Sequence, residues 1–152
     1  MDRVSEAVEK FRTGYACSQA ILATYGPPLG LSQQQAMQLA AGFAGGMRMG
    51  ETCGAVTGAL MVLGLRHCPG DCSTAASRKE VYGRVIDFAA RFRNRNGAVS
   101  CRDLLGCDVS TPEGLKQAQE KNLFKTTCVE MVRDAAEILE EMLAETAQTA
   151  TS

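Results

Sequence analysis

The chain has 152 residues, of which 45% are hydrophobic and 22% charged, and its net charge is −1. That length predicts one domain, residues 1–152, able to bury a real core. The near-neutral balance leaves a nucleic-acid or membrane partner without electrostatic support.

The periodicity is helical almost throughout, and no segment alternates convincingly as a strand. Val4, Ala7, Val8 and Phe11 make an i, i+3, i+4, i+7 stripe on a first helix. A second, short helix runs from about Cys17 to Tyr25 and stops at Gly26-Pro27-Pro28. Ser32 and Gln35 form a capping box that opens a third helix, running to about Ala44. The segment Ala55 to Leu65 is apolar on every side, the pattern of a helix in the centre of a bundle. Ser77 and Glu80 form another capping box. It opens a long helix with Val81, Val85, Phe88 and Phe92 on one face, ending near Asn96-Gly97. Ser100-Cys101-Arg102-Asp103 caps a short turn of helix that ends at Gly106, and Thr111-Pro112 starts another with proline at its first position. Thr127 and Glu130 cap the final helix, which buries Val132, Ala135, Leu139 and Met142 or Leu143. Residues 145–152, rich in Thr and Ala, are expected to form a disordered tail. The expected fold class is therefore all-α, a single-domain multi-helix bundle around a buried central helix at about 55–65.

Seven cysteines, an odd number, argue against a fully paired disulfide framework. The N-terminal run Met1-Asp2-Arg3-Val4-Ser5-Glu6 lacks the apolar stretch of a signal peptide. The expected setting is cytoplasmic and reducing, where clustered cysteines are more often metal ligands or redox groups than staples. The longest apolar run, Ala59 to Leu65, is far short of the ~20 residues needed to span a bilayer, so no membrane insertion is expected.

Cys17, Cys53, Cys101 and Cys128 fall where helices are expected to begin. A helix N-terminus carries unpaired N–H groups and about half a positive charge, which favours thiolate, the form that attacks, oxidises or binds metal. The capping boxes place Cys101 and Cys128 at the first helical residue. Cys53 follows Thr52, a plausible N-cap, and Cys17 follows Gly14, a weaker one. No C-x-x-C or C-x-x-C-H is present, so a thioredoxin-like pair, an ordinary zinc knuckle and c-type haem attachment lack their signatures. Cys68-Pro69-Gly70-Asp71-Cys72 is a C-x3-C in a turn-rich loop, suited to a small disulfide, to metal binding with His67, or to a pair of exposed thiols. His67 is the only histidine and is expected on the surface. Cys107 is a candidate fifth participant, such as a resolving thiol.

Gly46, Gly50, Gly54 and Gly58 recur every four residues across Cys53. In a helix they leave one bare stripe for another backbone to approach; in a loop their N–H groups are free to surround an anion. The Gly-Lys-Ser/Thr ending of a phosphate loop is missing and no strand precedes the segment. Arg48 stands ready to offset negative charge on a cofactor, and Met47 and Met49 are expected to pack. Arg91, Arg93, Arg95 and Arg102, like Glu137, Glu140, Glu141 and Glu145, read as solvated faces.

Gly14-Tyr15-Ala16-Cys17-Ser18-Gln19-Ala20, Gly50-Glu51-Thr52-Cys53-Gly54-Ala55-Val56-Thr57-Gly58-Ala59, Cys101-Arg102-Asp103-Leu104-Leu105-Gly106 and Cys128 together resemble the C_GCAxxG_C_C family of redox-active proteins. The resemblance covers about residues 3 to 143, and the family's four characteristic cysteines fall on Cys17, Cys53, Cys101 and Cys128. It implies an all-α fold and a redox role. The Cys68/Cys72 pair departs from the common pattern. The expected cofactor is an iron–sulfur cluster on those four cysteines, the two-iron (2Fe-2S) form favoured slightly over the four-iron (4Fe-4S) form, serving electron transfer or redox sensing with an unidentified redox partner protein. The alternatives are a metal-free dithiol/disulfide protein and a structural zinc module, and a homo-oligomer is open.

Overall fold

The amphipathic stripe read at the N-terminus forms α1 (Arg3–Arg12), whose Ala7 and Val8 are buried. In a computed structural model of the chain, which describes residues 1–151 and their side chains through 146, seven more helices follow. They are α2 (Cys17–Tyr25), α3 (Gln33–Ala40), α4 (Gly54–His67), α5 (Ala75–Asn96), α6 (Cys101–Leu105), α7 (Pro112–Glu120) and α8 (Thr127–Thr151). The fold is all-α, and the pairing of extended backbone among the described residues is a single isolated bridge between Thr52 and Ser100. No helix among those residues is long and apolar enough to cross a membrane. The last helix is recorded as far as Thr151; the rest of the expectation of a disordered tail at 145–152 lies outside the described residues.

Sequence chemistry sets most of the boundaries. Ser32 accepts from the N–H of Gln35 at the start of α3, and Thr111 accepts from the N–H of Gly114 at the start of α7, where Pro112 takes the first helical position. Gly97 and Gly106 end α5 and α6 in the left-handed conformation. Three boundaries differ from expectation. The helix α5 starts at Ala75, because Thr74 caps it by accepting from the N–H of Ser77; Ser77 is therefore the third helical residue, not the cap. The third helix gives way after Ala40 to a tight 3-10 turn over Ala41–Phe43. Finally, α8 begins at Thr127 itself, which puts Cys128 one residue inside it.

Burial places α2 at the heart of the bundle. Ser18 and every residue from Ala20 to Tyr25 are buried, and α2 packs against α1, α3, α4 and α8. Tyr25, Phe88, Phe92, Ile21, Leu22 and Leu63 are among the largest fully buried side chains, each contributing about 1.5–3 kcal/mol of hydrophobic stabilisation. The apolar helix α4 is not enclosed on every side as its composition suggests. Its Ala55, Val56, Ala59, Val62 and Leu63 face the core, while Thr57, Leu60, Met61 and Gly64 are half-buried and Leu65 is 41% exposed. The expectation of a buried central helix at about 55–65 is not confirmed, α2 being the more enclosed element. Close approach of α2 to α4 depends on Gly58, where a Cβ would lie 2.8 Å from Ser18 O and 3.2 Å from Ile21 Cβ.

The charged stretches read as solvated faces meet each other. Arg91 reaches Glu145 and Arg95 reaches Glu137 and Glu141, which ties α5 to α8. Glu140 instead turns to Arg3 and to the hydroxyl of buried Tyr25.

Candidate functional site

Each of the four helix-start cysteines is delivered by a different element. Cys17 is the first residue of α2, where the N–H of Ala16 donates to Gln19 Oε1 at 3.0 Å. Cys53 is the N-cap of α4 rather than its first residue, Cys101 opens α6 behind the Ser100 cap, and Cys128 is the second residue of α8. All four line one cavity of about 160 Å³, with Phe11, Leu104, Val109, Phe124 and Met131 supplying apolar walls. Among the described residues Arg48 is the one charged side chain on its lining.

Two local devices bring distant cysteines together. The first is the bridge between Thr52 and Ser100: the N–H of Cys53 donates to Val99 O at 2.8 Å, and the N–H of Cys101 donates to Glu51 O. The residue before each cysteine is thereby paired with the residue before the other, so two helices start side by side. A pairing this short has no alternating pattern to betray it in the sequence. The second device is a left-handed turn in which Gly45, Gly46, Met47 and Arg48 hold φ of 65°, 64°, 60° and 59°. A Cβ at Gly46 would lie 2.6 Å from Glu51 O, so only glycine fits there. Met47 and Arg48 each hold a conformation that costs an L-residue about 1–2 kcal/mol. Strain of this kind collects at functional sites.

Gly45 at the start of that turn, with Ser18, Gly54 and Cys17 itself, supplies backbone N–H groups that act to lower the Cys17 thiol's pKa. The glycine repeat thus splits into two jobs. Gly46 and Gly50 serve the left-handed turn, while Gly54 and Gly58 lie on α4 against α2. A Cβ at Gly54 would collide with Cys17 Sγ.

Burial nevertheless overrides the N–H groups. Removal from water pushes the Cys17 thiol up despite its backbone donors. Cys53 is pushed well up, by burial first and then by Cys17, against the N–H groups of Ala55 and Val56. Cys101 is pushed up to about 11 by burial, then Cys17, Cys107 and Asp108, with Arg48 opposing. Cys128 is pushed up to about 12 by burial, then Cys17, Cys101 and Cys107. The expectation that helix starts would by themselves yield free thiolates is therefore corrected: with nothing positive bound, these sulfurs are thiols at neutral pH. Cys17 raises each of the other three, as its place on the same cavity lining allows. Cys107 is 7% exposed and packs with Cys101, Val109 and Ala118, close enough to raise Cys101 and Cys128 without lining the cavity.

Among the described residues, no three His, Cys, Asp or Glu side chains are gathered tightly enough to hold a single metal ion. The four sulfurs are spread around a cavity instead of collapsed onto a point.

The remaining candidates lie elsewhere. Cys68 and Cys72 are joined to each other as a disulfide. His67 is buried, 7% exposed, which corrects the expectation of a surface histidine. Its Nδ1 lies 3.6 Å from Glu80 Oε1, its Nε2 has no hydrogen-bond partner among the described residues, and burial lowers its pKa. Met47 is half-buried and Met49 is 57% exposed, so the second does not pack as expected.

The helices and cavity define the chain as an all-α protein whose thiols meet in an apolar chamber. The family model described as "Putative redox-active protein (C_GCAxxG_C_C)" matches residues 15–142, and the chain belongs to that family. No curated protein and no solved structure matches the chain.

Proposed function

We propose that Cys17, Cys53, Cys101 and Cys128 hold an iron–sulfur cluster used for electron transfer or redox sensing. The observation that carries this reading is the spread of four sulfurs around one cavity of about 160 Å³. That volume matches cavities that take a benzene-sized guest, so it suits a compact polynuclear group. The donor set fits as well. Among the described residues no carboxylate or imidazole lines the cavity, and thiolates are the ligands such clusters use. A bound cluster would supply reversible electron storage, and its positive iron would hold as thiolates the sulfurs that burial otherwise keeps protonated.

The chain's own groups complete the account. The backbone N–H groups of Gly45, Ser18 and Gly54 near Cys17 favour added negative charge on its sulfur. Arg48 acts in the same direction on Cys101. The apolar walls shelter Cys53 and Cys101, which are buried, while Cys17 and Cys128 keep partial access to solvent. All four ligands come from one chain, so a second copy is not needed to complete the site. The electron partner would be another protein, in the cytoplasm.

A single tetrahedral zinc ion needs its sulfurs drawn to one point, which their present placement does not favour. A metal-free dithiol draws on the same shared lining, which puts Cys17 on one cavity with the other three. Anaerobic isolation tests the proposal. Visible absorption with iron and labile sulfide in matching amounts supports it, and their ratio to protein separates the two-iron from the four-iron form. A colourless protein free of iron and sulfide, with a disulfide forming among these four on oxidation, makes the dithiol reading correct instead.

A further inference from the structure

Cys68 and Cys72 close the loop between α4 and α5, and nothing in the cavity uses them. Their Cα atoms are 5.6 Å apart, within the range a bridge spans without moving backbone. As a staple the bridge is nearly redundant. A closed loop this short gains little chain-entropy stabilisation, and α4 and α5 already pack on each other.

The two sulfurs sit in different electrostatic surroundings. Cys68 is the C-cap of α4, at the negative end of that helix. Cys72 lies two residues before Thr74, the N-cap of α5, at a positive end, and Arg78 Nη1 donates to Cys72 O at 3.1 Å. Both influences favour thiolate at Cys72 over Cys68. Cys72 also holds φ of 58°, a costly conformation for a residue with a side chain. Both cysteines are half-buried and line an apolar groove of about 590 Å³ beside Met61, Gly64 and Leu65, so the pair faces open space. Ser77 O lies 3.7 Å from Cys68 Sγ and 4.0 Å from Cys72 Sγ, placed to accept an S–H from either sulfur when the loop is reduced.

We infer that Cys68 and Cys72 form a second redox site, a dithiol that exchanges with disulfides of other molecules. It is separate from the cavity. Cys53 caps one end of the 14-residue helix α4 and Cys68 the other, and the helical rise puts them roughly 20 Å apart. No cavity thiol reaches the loop within one chain.

The exchange balances as follows. The Cys72 thiolate attacks one sulfur of the incoming disulfide; a bond forms between them, the incoming S–S bond breaks, and the expelled thiolate takes a proton from water. Cys68 gives its proton to water and attacks Cys72 Sγ. The Cys68–Cys72 bond closes, and the second thiolate leaves and is protonated. One electron pair passes from the loop to the incoming disulfide, and an external dithiol restores the loop by the reverse exchange.

The full chain tests this. It is reduced with dithiothreitol, freed of it, and mixed with an aromatic disulfide that releases a coloured thiolate; the loop peptide is then mapped by mass spectrometry. In the wild type the loop ends as the Cys68–Cys72 disulfide. Cys68→Ser retains the aromatic thiol on Cys72. In Cys72→Ser the loop reacts several-fold more slowly, because the remaining Cys68 lies at the negative end of α4. A loop that dithiothreitol does not reduce, a wild type that keeps an aromatic adduct on both cysteines, or equal rates in the two variants overturns the inference. The readout involves no iron, so its failure and that of the cluster proposal are distinguishable.

Discussion

Replacing Gly54 with alanine tests how tightly α2 and α4 are fitted around the cavity. A Cβ there would collide with Cys17 Sγ and lie 3.1 Å from Ala44 Cα and 3.2 Å from Phe43 O. Two of the three neighbours are backbone, so little can give. Alanine in a helix gains up to ~1 kcal/mol over glycine, while overpacking costs about 1–3 kcal/mol. The net expectation is destabilisation by up to about 2 kcal/mol, or a Tm lower by up to roughly 8 °C for a chain of this size. Gly64→Ala is the control on the same helix. Nothing lies within 4 Å of its Cβ position, so the propensity gain stands alone and Tm rises by about 2–4 °C. Thermal melts by circular dichroism read both values, and iron analysis reads the consequence for the cavity. Gly54→Ala is expected to lose bound iron because the Cys17 sulfur is displaced. A Gly54→Ala protein with wild-type Tm and full iron would refute the close approach on which the site's geometry depends.

Three further outcomes follow from the packing and the buried thiols. Tyr25→Phe removes the hydroxyl that donates to Glu140 Oε1 at 3.0 Å and is expected to lower stability by about 1 kcal/mol in denaturant titration. Arg95→Ala breaks contacts to Glu137 at 2.7 Å and Glu141 at 2.6 Å. These pairs are largely exposed, so the loss is about 1 kcal/mol at low salt and shrinks toward zero near ~1 M salt; a loss unchanged by salt would mean that the arginine stem, not its charge, matters. In cofactor-free protein the raised thiols contribute stability fully below the ordinary thiol value of 9.0, and it is lost as pH rises through about 11 at Cys101 and about 12 at Cys128. Tm should therefore fall above pH 9, and the fall should be blunted in Cys101→Ala and Cys128→Ala; a Tm that rises there contradicts the burial of these thiols.

The helices were legible because their signals are local. Ser32, Thr111 and Pro112, and the stripe of Val4, Ala7, Val8 and Phe11, each act within one turn of their own helix. The start of α5 was misread because Thr74 and Ser77 compete for the same role, and the chain uses the earlier residue. The buried position of α4 was overread from composition, since an apolar face can also line a groove, as Met61 and Leu65 do. Meeting of the four cysteines was suggested by their helix starts and by the family motif, yet the means of meeting was hidden. The Thr52–Ser100 bridge joins residues far apart in sequence, and the left-handed run through Met47 and Arg48 uses residues that carry no propensity for it. Thiol protonation was equally hidden, because burial is a property of the assembled bundle.

The central claim is that four cysteines form one cluster site, and iron retention in single-cysteine variants tests it most directly. Wild-type chain and the variants Cys17→Ser, Cys53→Ser, Cys101→Ser, Cys128→Ser and Cys68→Ser would be isolated anaerobically and assayed for iron, labile sulfide and visible absorption. Each of the first four is expected to lose most of its iron and colour, while Cys68→Ser keeps both. Iron retained at the wild-type level in any of the first four, or lost equally in Cys68→Ser, would contradict the account.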